Sequence, residues 1–243
     1  MSTPTFGIIS KRRKNRLMNV QGFQKVTLLD YPGRVACTVF LGGCNLRCPF
    51  CHNAGLVRTP TAEADAYPAL IDYLSKRKGV LQGVCVTGGE PLLHPDLPQL
   101  LSTIKELGFA VKLDTNGSLP RQLARVLETG LVDYVAMDIK HAPEAYSKAT
   151  GCDLDFAPFA KSMGLIRESG LPYEFRTTAV KGIHEIRDFE TIAAYIGDEL
   201  YFIQKFVDSG NLLSSGCAAF SYAEMQEILS VVRNHTPRAA LRG

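Results

Sequence analysis

The stretch that decides the fold is Val35-Ala36-Cys37-Thr38-Val39-Phe40-Leu41-Gly42-Gly43-Cys44-Asn45-Leu46-Arg47-Cys48-Pro49-Phe50-Cys51. Its first seven residues, nearly all apolar, read as a core strand. Directly behind them stand three cysteines spaced C-x3-C-x2-C. Three thiolates converging from one tight loop make a good iron–sulfur ligand set. A cubane cluster holds four irons, so three cysteines leave one iron open to a different ligand, and chemistry can happen there. The C-x2-C pair with His52 behind it is also half of a zinc site. Such sites draw on a second ligand pair, and no C-x2-C or H-x3-H follows downstream. Seven cysteines with no secretion signal point to a reducing compartment rather than to disulfides.

Outward from that stretch, strand-like and helix-like blocks alternate, the pattern of a parallel sheet with crossover helices. Val84 to Val86, Phe109 to Leu113, Val132 to Met137, Tyr173 to Val180 and Leu200 to Phe206 read as further strands. Helices are expected at about 63–78, 96–107, 120–129, 157–169, 186–197 and 221–234. Leu97, Leu100, Leu101, Ile104 and Leu107 recur at helical spacing and should face the sheet. Pro120 suits a helix start, and Gly108, Gly130 and Gly170 suit helix stops. About six βα units are too few for a closed eight-stranded barrel, so the expected fold is a single α/β domain built as a partial (β/α)6 barrel. Sites in such folds lie at the carboxyl ends of the strands.

At 243 residues with 46% hydrophobic content the chain can bury a full core. The net charge of +3 is unevenly placed: Lys11, Arg12, Arg13, Lys14 and Arg16 crowd the start. No long apolar run follows, so residues 1–17 are expected to be a disordered basic extension rather than a signal or anchor, with the globular domain spanning 18–243. Neither nucleic acid nor membrane is expected as a partner, since basic and aromatic patterning is lacking elsewhere. The expected location is the cytoplasm.

The chemically loaded residues fall just after strands. Thr87-Gly88-Gly89-Glu90-Pro91 follows the second: Gly88 and Gly89 let the backbone come close to a ligand, and Glu90 offers an acceptor for an ammonium group. A tight turn is the plainer reading of this motif alone. The third strand ends in Asp114-Thr115-Asn116-Gly117, where an acid can accept from ribose hydroxyls and Asn-Gly by itself signals only a turn. The fourth ends in Asp138-Ile139-Lys140, with Asp138 and Lys140 on one face, as an ion pair or as pocket groups for a ligand carboxylate. Arg176, inside the apolar fifth strand, needs a charged partner: a carboxylate ligand or an acid such as Asp138. Gln204 on the sixth strand is a weaker candidate for closing the pocket.

GGCNLRCPFCHN, TGGEP, DTNG, MDIK and FRTT, in this order and at these spacings, resemble the radical S-adenosylmethionine superfamily and, within it, the glycyl-radical-enzyme activating enzymes. Thr27-Leu28-Leu29-Asp30-Tyr31-Pro32-Gly33 resembles their opening, and the resemblance covers about residues 18–210. Among them the chain is most similar to the anaerobic ribonucleoside-triphosphate reductase activating proteins. The resemblance implies one [4Fe–4S] cluster on Cys44, Cys48 and Cys51. It implies S-adenosylmethionine held by Gly88, Gly89, Glu90, Asp114, Asn116, Asp138, Lys140 and Arg176, with Gln204 standing where a relative uses histidine. It further implies that the reduced cluster passes one electron to the sulfonium, giving methionine and a 5′-deoxyadenosyl radical. That radical takes a hydrogen atom from a glycine of a partner glycyl radical enzyme. A flavodoxin or similar protein is the implied electron donor.

Cys37 and Cys85 sit in apolar strands as core residues, whereas Cys152 and Cys217 sit singly in loop-like segments, so one cluster is expected. His52 and Asn53 should shape the surroundings of the cysteine loop. His94, His141, His184 and His235 lack a partner in sequence and are expected at the surface. Rival readings are a radical enzyme acting on a small molecule and, further off, a structural zinc module.

Overall fold

The computed structural model describes residues 19–58, 65–208 and 210–242. The expected basic extension, with Met18, lies outside them. One sheet organises the rest. Its strands are β1 (Val20–Thr27), β2 (Ala36–Leu41), β3 (Gly83–Gly88), β4 (Ala110–Thr115), β5 (Tyr134–Asp138), β6 (Tyr173–Lys181), β7 (Tyr201–Lys205), β8 (Ala218–Ala219) and β9 (Ala240–Arg242). β2 to β7 pair in sequence order and all in parallel, and β9 extends them in parallel beyond β7. β1 pairs antiparallel to β2, and the short β8 pairs antiparallel to the end of β6. The six central strands match the six read from the sequence, and the partial barrel expected there is the fold.

The helices are α1 (Ala54–Arg58), α2 (Tyr67–Ser75), α3 (Leu97–Glu106), α4 (Pro120–Glu128), α5 (Tyr146–Thr150), α6 (Ala157–Glu168), α7 (Ile186–Ile196) and α8 (Tyr222–Arg233). On α3, Leu97, Leu100, Leu101 and Ile104 are all buried, each contributing about 2 kcal/mol through removal from water. Phe189, Ile192, Ala193 and Ile196 do the same on α7. The sequence reading lacked α1, α5, β1, β8 and β9. β1 escaped it because only its ends, Val20 and Thr27, are buried while Gln24, Lys25 and Val26 face solvent, so the strand carries no clean alternation.

Strand pleat sorts the side chains by chemistry. Val84, Val86, Val111, Leu113, Val135, Met137, Phe175, Tyr201 and Ile203 point to the helices and form the main core. Their alternates, Cys85, Lys112, Asp114, Asp138, Glu174, Arg176 and Gln204, share the opposite face. Parallel register brings Cys85 beside Lys112 and Asp138 beside Arg176. The concave face of the sheet is therefore polar and charged, and its carboxyl edge carries the cysteine loop.

Candidate active site

The cysteine loop leaves β2 at Leu41 and is held on every side by backbone. Gly43 N–H donates to Leu56 O (3.0 Å), Arg47 N–H to Thr150 O (2.8 Å) and Ser214 N–H to Pro49 O (3.1 Å). The Arg47 guanidinium closes the loop on itself through the carbonyls of Cys44 and Leu46. Cys44 and Cys51 are half-buried and Cys48 is buried. Burial pushes the Cys44 thiol up and the Cys48 thiol up to about 12, so an unligated loop holds these thiols protonated and a metal must displace the protons.

Gly88 and Gly89 serve this loop. A Cβ at Gly88 would overlap the backbone of Leu41, and one at Gly89 would overlap the carbonyl oxygen of Gly43. Their absence lets Gly89 N–H donate to Leu41 O (2.9 Å) and Glu90 N–H to Gly43 O (2.8 Å). Asn53, just past Cys51, donates to Gly88 O (3.1 Å). The close approaches are between backbones: Gly88 at the end of β3 against Leu41 at the end of β2, and Gly89 against Gly43 of the cysteine loop.

Glu90 turns inward. Its carboxylate is fully buried and accepts from Leu92 N–H (3.0 Å), Thr115 Oγ1 (2.9 Å) and Asn116 N–H (2.7 Å). Burial raises its pKa to about 7 against the pull of these donors. Three of the protein's own donors meet this carboxylate, and Thr87, Gly88 and Gly89 of the same motif line the cavity.

The floor is a chain of charges alternating in sign. Arg242 grips Glu174 through two bonds of 2.8 and 2.9 Å. Lys112, fully buried, lies 3.9 Å from Glu174 and bonds Asp114. Arg176 bonds Asp114 (3.0 Å) and Asp138 (2.8 Å), and Asp138 bonds Lys140 (3.0 Å). Burial alone would raise both aspartates, but Arg176, with Lys112 for one and Lys140 for the other, holds them below the usual carboxylate range. The chain begins and ends on a cation, so it carries one positive charge more than its acids cancel. Asp138 and Lys140 form the ion pair weighed from sequence, and Arg176 finds its partner in Asp138 and in Asp114 as well.

The Asp114–Arg176–Asp138–Lys140 end of this chain and the cysteines border one cavity of about 360 Å³, within the size range of small-molecule sites. Cys44, Cys48, Cys51, Asp114, Asn116, Asp138, Lys140, Arg176 and Gln204 all reach it. Among the described residues no three His, Cys, Asp or Glu side chains close on a single-ion site; the thiols share a cavity without sharing a point. Three thiols around one space fit a multi-iron cluster, in which each iron takes one cysteine sulfur beside its inorganic sulfides. Sequence reasoning missed Asp30, Thr38 and Thr178 on the cavity wall, and Lys112, Glu174 and Arg242 beneath it. Lys112 had a signal: a charge inside an apolar strand, as at Arg176.

Two histidines correct the surface expectation. His141 and His184 are buried, with rings stacked at 4.8 Å. The sequence hid this because each is satisfied by backbone: His184 Nδ1 accepts from Val180 N–H, leaving Nε2–H for Lys140 O (2.8 Å). Burial lowers the His184 pKa to about 4, so it is a neutral brace under Lys140. His94 is half-buried against Gly42 O (2.9 Å), and His52 stacks on Phe206 at 5.5 Å. Cys37 is a core residue as expected, and Cys85 is buried as well, but on the charged face 3.9 Å from Lys112 Nζ.

The fold and site define an α/β partial-barrel protein with a three-thiol loop at the carboxyl edge of its sheet. The model of the Radical SAM superfamily matches residues 38–196, and the chain belongs to that superfamily. Members use a [4Fe–4S] cluster and S-adenosylmethionine, which are accordingly the cofactors of this radical S-adenosylmethionine enzyme. A protein of Methanocaldococcus jannaschii provisionally named a glycyl-radical enzyme activating enzyme is 33% identical over 197 residues, 77% of this chain and 79% of the relative. One of Pyrobaculum aerophilum provisionally named a GTP 3′,8-cyclase is 30% identical over 201 residues, 79% of this chain but 61% of the relative. Among solved structures, Streptococcus suis SuiB superposes with a TM-score of 0.65 at 17% identity over 83% of this chain, which spans 47% of SuiB. No helix of the described residues is long and apolar enough to cross a membrane.

Proposed function

We propose that this protein is a glycyl-radical-enzyme activase. In this reading Cys44, Cys48 and Cys51 ligate a single [4Fe–4S] cluster, and S-adenosylmethionine lies in the cavity beside it. When bound, the two cofactors supply the one-electron cleavage that yields a 5′-deoxyadenosyl radical. The chain's own residues bind and orient. Lys140 and Arg176, at the cationic end of the floor, receive the cofactor carboxylate. The carbonyls of the Gly88-Gly89 turn face its ammonium, and Asp114 faces the ribose. Asn116 and Gln204 complete the wall. Glu90 and Lys112 hold these groups from behind.

The observation that carries the reading is the opening of all three cysteines onto one cavity whose floor holds one more cation than acids. The activase assignment is supported by the relative that shares a third of its residues over most of both chains. The partner would be a glycyl radical enzyme, with anaerobic ribonucleoside-triphosphate reductase as first choice and a flavodoxin-like protein as donor. A small-molecule substrate is the second reading, favoured by the cyclase-named relative.

The test is anaerobic reconstitution, dithionite reduction and chromatography for 5′-deoxyadenosine, run with anaerobic reductase deuterated at its glycines. Deuterium in the product, with a glycyl radical signal on the reductase, is the expected result. Undeuterated product with both reductase and pyruvate formate-lyase would overturn the activase reading and leave the small-molecule one.

A further inference from the structure

Asn45, Asn116 and Ser118 close a ring of side-chain hydrogen bonds beside the cysteine loop. Asn116 Nδ2 donates to Asn45 Oδ1 (3.1 Å), Asn45 Nδ2 donates to Ser118 Oγ (2.8 Å), and Ser118 Oγ donates to Asn116 Oδ1 (2.6 Å). The ring fixes which way the Asn116 amide points. Ser118 backbone N–H also meets Asn116 at 2.9 Å, and because it can only donate, the atom facing it must be Oδ1. The nitrogen therefore faces the other way, 3.8 Å from Cys44 Sγ. That sulfur also receives Leu46 N–H at 3.4 Å. Asn116 itself is anchored from behind, its backbone N–H held by Glu90.

We infer that Asn116, oriented by Ser118, sets the electron affinity of the iron–sulfur cluster through a hydrogen bond to the sulfur of Cys44. This rests on Cys44 being a cluster ligand, as proposed above. A ligating thiolate carries more negative charge in the reduced cluster than in the oxidised one. An N–H aimed at it stabilises the reduced form more and raises the midpoint potential. S-adenosylmethionine is not needed for this effect, so Asn116 acts on the cluster as a positioning residue whatever it contributes to the cavity wall.

The experiment is a redox titration with dithionite, followed by electron paramagnetic resonance, on reconstituted enzyme without S-adenosylmethionine. Asn116→Leu removes the donor at nearly constant shape and charge. Its midpoint is expected to fall, with about a tenfold lower reduced-to-oxidised ratio at a fixed poise, equivalent to 59 mV for one electron. Ser118→Ala keeps the backbone N–H on Asn116 Oδ1 but removes the hydroxyl that closes the ring, so the amide is held less firmly and the midpoint should shift the same way by less; it carries the test alone should Asn116→Leu fail to fold. A residue that only tied the loop down would, once cut, admit water to the cluster and move the midpoint upward. An unchanged or raised midpoint at full iron loading overturns the inference. A full cluster in Cys44→Ala would instead overturn the ligand assignment beneath it.

Discussion

The carboxylate of Glu90 accepts the backbone N–H of Asn116 at 2.7 Å, across the gap between the turns that follow β3 and β4. Glu90 also spends its own N–H on Gly43, one residue before Cys44. One buried side chain and its peptide thus lock three successive strand ends into a single rim. The Thr-Gly-Gly-Glu-Pro motif supports the cysteine loop first and lines a ligand cavity second.

A carboxylate raised to about 7 by burial makes the fold sensitive to pH. The folded pKa lies above the unfolded one, so the contribution of Glu90 to stability is fully present below about pH 4.5 and is lost as pH rises through 7. The full span is about 3 kcal/mol. Between pH 5 and pH 7.5 the buried neutral His184 contributes a rise, so the Glu90 contribution is read as a difference: the urea midpoint of the wild type should drop relative to that of Glu90→Gln as pH goes from 5 to 7.5. Equal slopes in both proteins would mean that another group titrates.

Gly151 ends α5 with φ of 64°, and a Cβ there would overlap the carbonyl of Arg47 inside the cysteine loop. Gly151→Ala should cost about 1–3 kcal/mol in backbone strain and, in addition, lower the iron bound per chain by displacing the loop. Gly108→Ala is the control: its φ is 93°, yet a Cβ meets nothing within 4 Å among the described residues. It should lose stability alone and keep its iron. Equal iron loading in the two variants would show that α5 does not brace the loop.

The six parallel strands were legible because a strand buried on both faces writes itself as an apolar run, and the turn residues after each run mark its carboxyl end. The three cysteines, Asp114, Asp138, Lys140, Arg176 and Gln204 were legible as exceptions at those ends. Orientation was not. Whether Glu90 faces a ligand or the next turn depends on a backbone path set by the Gly88–Leu41 and Gly89–Gly43 approaches, which are contacts between distant segments. His141 and His184 misled for the same reason: backbone carbonyls and amides, invisible as sequence partners, satisfy both rings. Glu174 and Arg242 lie 68 residues apart and join only because β9 docks beside β7.

Cys152 and Cys217 lie near the cysteine loop without belonging to it. Cys152 Sγ approaches Asn45 O at 3.7 Å, and Cys217 packs against the apolar group around Cys48 and Phe50. Serine at either position should leave iron content and 5′-deoxyadenosine production within about twofold of wild type. Serine at Cys44, Cys48 or Cys51 should abolish both. Iron and sulfide analysis with product chromatography checks all five, and a cluster lost with Cys152 or Cys217 would require a second ligand set.

Arg176 carries the floor, because both Asp114 and Asp138 depend on it. Arg176→Met keeps much of the stem but leaves the buried Asp114 and the half-buried Asp138 each with one cation fewer. Removing one partner of a buried ion pair costs about 3–5 kcal/mol. Both aspartates are held below the usual range, so their contribution is present above about pH 4 and is lost as pH falls further. In Arg176→Met that acid-side loss should shrink, since the carboxylates then protonate more readily. Affinity for S-adenosylmethionine, measured by calorimetry on folded protein at pH 7.5, should drop at least tenfold if the guanidinium also meets the cofactor carboxylate. Lys112→Met gives the comparison, because its ammonium is fully buried beneath Asp114. Its stability should fall by a similar amount, with a smaller loss of affinity. Equal affinity losses in the two variants would make Arg176 a member of the ion-pair chain alone.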